Sequence, residues 1–436
     1  VADTVVAAVA VVATKGMKMK KNKSNDLAKL SLAAFALTGV MQEANAGRVD
    51  ESYNGDFQYG HYSESGNRMS VDIFDLAVSA PIGKSMTLSA SAVRDVISGA
   101  SPLTNQKNAQ GQVHQVLSGA SGNAKTSSCG SSICDQRDGV NSALTYFFDN
   151  AALNVGGGFS QEQDYTSRFA NSNLSWDFNK KLTTLNLGGS VAFDVVEPTN
   201  TNRDCNSTAK GVGDCHKTSQ QYLLGVTQII DKNSLLQLNM TYSNSDGYLS
   251  DPYKQVYFYK TDDLAVNDLS GIGNDKRPRQ KNQFAWLAQY VHNFEALNNA
   301  ALHADYRFAM DDWGINSHTT ELSWHQPIGA GWQVIPRFRY YSQDSANFYA
   351  PIFVGNKKDF NAYSSDYRLA GFGAISGGLK LAKTFTELHK SIEQMKLQAG
   401  IEYYDHSASY QLGGNNLGSF TDFSYYLVNA SINLKF

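Results

Sequence analysis

Charge is scarce in this chain. Asp, Glu, Lys and Arg make up 18% of 436 residues, below the typical share of about a quarter. The net charge of −3 removes the electrostatic case for a nucleic-acid partner. Proline is rare, at 8, which suits long strands. No apolar run reaches the roughly 18 residues that a membrane-crossing helix needs. There are only four cysteines, and none lies in a Cys-x-x-Cys-His motif, so the chain has no attachment site for c-type haem.

What is abundant is Tyr (23), Phe (22) and Gly (36), arranged with a period of two. In the last eleven residues Tyr426, Val428, Ala430, Ile432, Leu434 and Phe436 share one face of an extended chain, and Asn429, Ser431, Asn433 and Lys435 share the other. The same alternation marks Leu236, Leu238 and Met240 against Gln237, Asn239 and Thr241, and Leu302, Ala304 and Tyr306 against His303, Asp305 and Arg307. Short turns at 81–84, 149–150, 179–181, 231–233, 298–299 and 327–331 alternate with long polar connections at 98–136, 196–217, 245–279 and 344–366. Strands of ten or more residues with loops sorted this way predict an all-β, antiparallel up-and-down transmembrane barrel. It has about sixteen strands, short periplasmic turns and long external loops. Strands are expected near 55–65, 68–80, 85–97, 137–148, 151–161, 164–178, 182–195, 218–230, 234–245, 280–293, 300–310, 314–326, 332–343, 367–383, 394–405 and 420–436. Thr384 to Glu393 reads as the least strand-like turn, with room for a short helical piece.

Lys18, Lys20, Lys21 and Lys23 precede an apolar stretch from Leu27 to Met41, which ends at Ala44-Asn45-Ala46. A basic region, a short apolar core and a small-x-small site form a secretory signal peptide. Residues 17–46 are therefore read as the leader, 1–16 as a non-native upstream extension, and 47–436 as one barrel domain. No lipobox cysteine follows the leader.

The apolar face ending in Phe436 resembles the closing strand of bacterial outer-membrane barrels, whose assembly machinery reads such a C-terminus. Tyr426, Val428, Leu434 and Phe436 are the candidate signal. Met69-Ser70-Val71 leading to Ala80-Pro81-Ile82-Gly83, then Val96 through Pro102, resembles the opening of a proteobacterial barrel family catalogued as domain of unknown function 3570. Ser250-Asp251-Pro252-Tyr253-Lys254, Arg277-Pro278-Arg279 and Asn347-Phe348-Tyr349 are similar to it as well. The resemblance implies an outer-membrane barrel in a Gram-negative cell and transfers no substrate or catalytic residue. Members of that family are often encoded beside thioredoxin-like and flavin-transferase-like proteins, so the resemblance implies a redox- or cofactor-linked setting.

If the polar strand faces line a lumen, its candidate residues are Asp194, His303, Asp305, Arg307, Glu321, His325, Arg337, Arg339, Lys396 and Glu402. Mixed signs imply salt-bridged walls without strong selectivity, and Arg307, Arg337 and Arg339 are the candidate anion-attracting ladder. An even cysteine count in a secreted chain favours disulfides, expected as Cys129–Cys134 and Cys205–Cys215. The spacings match no zinc pattern. Asp246, Asp251, Asp262, Asp263 and Asp268 are read as solvated loop charges, since no twelve-residue calcium loop is present. Asn316-Ser317-His318 and Asp405-His406 are too short to make a catalytic case, so no enzyme, metal or cofactor is expected. Tyr340-Tyr341, Phe348-Tyr349, Tyr403-Tyr404 and Tyr425-Tyr426 are read as headgroup girdles, with a lumen-facing sugar track as the rival, carried by Tyr341 and Tyr404. The leading function is a porin-like channel for small polar solutes. The alternative is a scaffold barrel that engages a periplasmic or surface partner, which a plug formed by loop 98–136 or 245–279 would favour.

N-terminal sequencing of membrane-extracted protein is expected to begin at Gly47; retention of Leu30 to Leu37 would overturn the leader assignment. Non-reducing peptide mapping is expected to return the two local disulfides, and a Cys129–Cys205 link would mean that their loops meet.

Overall fold

The computed structural model describes residues 52–99, 103–107, 113–117, 134–198, 215–261, 268–389, 391–413 and 422–436. The leader, Cys129, Cys205, Asp262 and Asp263 lie outside them, as does the side chain of Cys134. Cys215 is disulfide-bonded.

The wall strands are β1 (Asn54–Glu64), β2 (Met69–Ile82), β3 (Met86–Gly99), β4 (Cys134–Phe147), β5 (Ala151–Gln161), β6 (Tyr165–Phe178), β7 (Thr183–Val196) and β8 (His216–Asp231). They continue with β9 (Ser234–Gly247), β10 (Gln280–Phe294), β11 (Ala300–Asp311), β12 (Asn316–Gly329), β13 (Trp332–Gln343), β14 (Phe372–His389), β15 (Ile392–Ser407) and β16 (Phe423–Lys435). Each pairs antiparallel with its neighbours in chain order. β16 returns to β1 with Lys435 opposite Asn54 and Tyr425 opposite Glu64. The result is a closed, sixteen-stranded transmembrane barrel, with no free edge to shield from lipid.

Turn chemistry explains the tight connections at the end that carries the termini. Asn179, Lys180 and Lys181 have φ of 48°, 55° and 68°, and Asn298 and Asn299 have 65° and 57°. This is the left-handed region that asparagine tolerates best among non-glycine residues. At Asp231 the carboxylate accepts the Asn233 backbone N–H at 2.7 Å, closing the β8–β9 turn. At the other end lie the long connections 100–133, 197–215, 248–279, 344–371 and 408–422, together with the short ones 65–68, 162–164 and 312–315. The expected sorting thus holds in one direction: tight turns occur at both ends, long loops at one.

The apolar faces look outward. Leu238 is 50% exposed and its neighbour Asn239 only 7%, the inverse of a soluble sheet. Tyr426, Val428 and Phe436 lie on this exposed face, in phase with Leu434. Two expectations fail. Thr384 to Glu393 holds no helical piece among its described residues: β14 runs to His389 and β15 resumes at Ile392, because strand pairing carries past the point where the alternation fades. β14 also starts at Phe372, since Tyr367–Leu369 is a 3-10 turn.

Arg at position 238 is expected to cost about 2–4 kcal/mol near the bilayer midplane, and Arg at 239 far less. Single cysteines at the two positions give the discriminating readout. Lipid-dissolved reagents should reach 238 and water-soluble ones 239, and the opposite labelling pattern would invert the assigned faces.

Candidate functional site

Paired positions on adjacent strands point to the same side of a sheet, so the register lays out the inner wall. One inward row runs His303, Ser323, Arg337, Gly378, Glu402 and Leu427 across β11 to β16. The next runs Asp305, Glu321, Arg339, Ser376, Tyr404 and Tyr425, and the third Arg307, Thr319, Tyr341, Ala374, His406 and Phe423. Lys396 and His325 lie lower on the same sector, and Asp194 faces inward from β7. All the lumen candidates therefore share the inner face. Lys380 on β14 and the Arg137–Asp95 pair across β3 and β4 belong with them. Lys380 was readable from its phase with Ser376 and Gly378.

The basic ladder is split. Arg337 donates through Nε and Nη2 to both Glu321 oxygens at 2.7 Å, and through Nη1 to Glu402 Oε2 at 2.6 Å. A bidentate guanidinium–carboxylate pair locks both side chains against the wall. Arg307 and Arg339 are exposed and have no hydrogen-bond or ion-pair partner among the described residues. Between β7 and β8 Lys217 pairs with Asp194 at 2.9 Å. The His303 and His325 rings lie 4.3 Å apart, but no group of three metal-ligating side chains forms among the described residues. Ser317 faces inward while His318 faces outward and meets Tyr306 Oη at 2.8 Å; Asp405 and His406 likewise point to opposite sides. Alternation separates both pairs that composition had placed together.

Above these rows the long loops build a cap. Strands Gln255–Tyr259, Leu269–Asn274 and Phe353–Val354 form a small sheet, with Val256, Phe258, Phe353 and Tyr363 as its core. A second cluster of Trp313, Ile315, Ala346 and Leu369, flanked by Leu249, Phe348 and Tyr349, seats it on the β11–β12 connection. Phe348 and Tyr349 are therefore anchors and not girdle residues. Of the girdle pairs, Tyr340, Tyr403 and Tyr426 point to lipid, and Tyr341, Tyr404 and Tyr425 to the lumen.

The cap is held by buried ion pairs. Arg277 reaches Asp275 at 2.6 Å and Asp366 at 2.7 Å; Arg368 reaches Asp251 at 2.8 Å and also binds Asp366. Asp251 is thus a structural ion-pair member, contrary to its reading as a solvated charge. Asp246 is exposed, and Asp268 accepts the Thr261 backbone N–H at 2.6 Å. Burial opposes the Asp366 carboxylate, but the Arg368 and Arg277 guanidiniums outweigh it and hold its pKa far below the usual range. Lys254 is buried in the same cluster, its Nζ without a hydrogen-bond partner among the described residues. Burial pushes its pKa down from 10.5 to about 8, against the attraction of Asp366. Three segments that carry the family resemblance, 250–254, 277–279 and 347–349, meet here. Sequence could not reveal this, since the contacts join loops about a hundred residues apart.

Tyr253 Oη donates to Asp164 Oδ2 at 2.6 Å in the β5–β6 connection, and Gln343 Nε2 donates to the Arg368 and Ala370 carbonyls at 3.0 and 2.7 Å beside β14. Between these anchors lie β6 to β13 on one path and β14 to β5 on the other, so they face each other across the ring. The cap therefore spans the mouth. A cavity of about 300 Å³ remains between it and inward-facing Tyr165, Lys217, Lys281, Asp311 and Tyr341. The described residues of segment 245–279 do fold inward, but only at the mouth, and Gln58, Asn141, Arg307 and Arg339 stay exposed on the inner wall. Of segment 98–136, the hairpin Leu103–Lys107 with Val113–Leu117 is described beyond the strand ends.

Lys254→Met tests the cluster. The folded-state pKa of Lys254 lies below its unfolded value, so in the wild type cap docking is weakest below pH 8 and strengthens as pH rises towards about 10.5. Hydrogen exchange of the 255–259 amides, corrected for intrinsic exchange, should show that trend and lose it in the variant.

A search of curated proteins by sequence found no match. Among solved structures, a bacterial polysaccharide outer membrane secretin aligns at 7% identity and TM-score 0.45, covering 89% of this chain and 99% of its own. The outer membrane protein opdK from Pseudomonas aeruginosa aligns at 10% identity and TM-score 0.39 over 88% and 99%. OmpT of Vibrio cholerae aligns at 8% and 0.42 over 88% and 98%. These are likenesses of outer-membrane barrel fold alone. The family profile described as Protein of unknown function (DUF3570) matches residues 27–427, and the chain belongs to that family.

Proposed function

We propose that this protein is a passive channel for small polar solutes in the outer membrane of a Gram-negative cell, with a fixed cap narrowing its external mouth. The observation that carries the reading is the exposed polar inner wall beneath the cap, where Gln58, Asn141, Arg307 and Arg339 meet water. A sixteen-stranded barrel is too wide to be filled by its own wall side chains, and no segment described here fills the middle. Lipid contacts the outward face, and the C-terminal strand with Tyr426, Val428, Leu434 and Phe436 serves as the assembly signal.

Purified protein in planar bilayers should conduct. Arg368→Ala removes the cation shared by Asp251 and Asp366, so it should loosen the cap and raise single-channel conductance and its fluctuations. A folded wild type and folded variant that both fail to conduct would sink the channel reading.

A further inference from the structure

We infer that Arg307 and Arg339 form a binding station for small organic acids just inside the cap, with the solute's carboxylate on the guanidiniums and its carbon skeleton against tyrosine rings. As a step in permeation the inference rests on the channel reading; as a binding site it is tested separately.

The case begins with charge accounting on the inner wall. Near the mouth the other inward cations are neutralised: Arg137 by Asp95, Lys217 by Asp194 at 2.9 Å, and Lys281 by Asp311 at 2.9 Å. Arg337, one row below Arg339, is engaged by Glu321 and Glu402. Arg307 and Arg339 have neither a carboxylate within ion-pair distance nor a hydrogen-bond acceptor among the described residues, and both are exposed to lumen water. The carboxylates close to them are occupied. Glu321, directly opposite Arg339, has both oxygens on Arg337. Asp305, on the same strand as Arg307, accepts from Gln289 Nε2 at 3.1 Å. Glu64, opposite Tyr425 at the end of the Arg339 row, is held by Arg68 at 3.5 Å and by Tyr62 Oη at 2.6 Å. The other inward acids lie elsewhere: Asp75 on β2, and Asp56 and Asp177 towards the end that carries the termini.

Spacing allows the two guanidiniums to act together. They stand on β11 and β13 in adjacent rows, with β12 between them. Two inter-strand steps of about 4.8 Å separate their backbones laterally, within joint reach of two long arginine side chains. Bidentate geometry and weak hydration make guanidinium suited to carboxylate.

The surroundings select an organic anion. Tyr341 shares the Arg307 row and also lines the cavity under the cap. Tyr404 and Tyr425 share the Arg339 row, their rings stacked at 4.4 Å and 15°. Such faces accept a flat carbon skeleton, which inorganic phosphate lacks. This revises the expectation of an unselective lumen: among the described residues pairing removes the other inward cations near the mouth and leaves these two, while Lys380 and Lys396 lie lower on the wall.

The test uses the detergent-solubilised, folded full-length protein, with benzoate, benzamide and inorganic phosphate as probes, read by saturation-transfer NMR titration and by bilayer currents. Benzoate should bind, benzamide should not, and phosphate should bind more weakly. Arg307→Gln with Arg339→Gln should weaken benzoate by roughly tenfold or more, as loss of charged hydrogen bonds predicts. Arg307→Lys with Arg339→Lys should retain part of it, and outward-facing Arg94→Gln should leave it unchanged. In bilayers benzoate should reduce the current in the wild type and not in the double glutamine variant. If benzamide binds as well as benzoate, or the double variant binds unchanged, the station is wrong even where the protein conducts. Equal or stronger binding of phosphate would overturn the organic-acid assignment. Benzoate binding lost in the double variant, with no conductance in any form, would uphold the station and reject the channel.

Discussion

Closure of the hydrogen-bonded ladder is the constraint on which the rest depends. Inside a bilayer no water is available to satisfy a strand edge, so each backbone donor and acceptor needs a partner in the next strand. Here that requirement is met when β16 pairs with β1 from Asn54–Lys435 to Glu64–Tyr425. Closure turns one face of every strand towards lipid and the other into a shared interior. The apolar residues that would form the core of a soluble protein, such as Leu238 and Phe193, are therefore outside. The polar ones are left to organise the lumen.

The interior divides by height and by sector. At the mouth, two long loops fold on each other around Phe258 and Phe353, and a buried set of aspartates, arginines and Lys254 fixes their mutual position. Buried ion pairs are costly to desolvate and contribute specificity of arrangement more surely than net stability. That suits a cap whose position matters more than its strength. Below it, β11 to β15 carry the charged rows, while β5 to β9 contribute residues such as Asn154, Asn171, Asn186 and Asn239. A solute entering beside the cap meets one charged wall and one neutral, hydrogen-bonding wall. Arg337 shows that a row of arginines is not uniform, since two carboxylates remove it from the set available to a solute.

Much of this was legible in the sequence for a plain reason. Period-two alternation is a local property, and lipid on one side with water on the other makes it strict. The sixteen strands, their order and the inward face of every candidate from Asp194 to Glu402 followed from it. So did the lipid-facing position of Tyr426 and Val428. The turn asparagines at 179 and 298–299 were readable because their backbone conformation penalises most other residues. What was missed had no period. The cap sheet at 255–259, 269–274 and 353–354 lies in segments that read as polar connections. Asp251 looked like any loop acid until Arg368, 117 residues away, reached it.

By itself, then, the sequence determined that this chain closes into an even-stranded barrel, which side chains line it, and which end bears the long loops. These follow from residue spacing along one strand and from the chemistry of single turns. The tertiary structure alone decided which charges cancel, that two loops lock across the mouth, and that Arg307 and Arg339 have no partner among the described residues. Each of these depends on which residues register and loop packing bring within about 3–4 Å of one another, a quantity that no local pattern encodes.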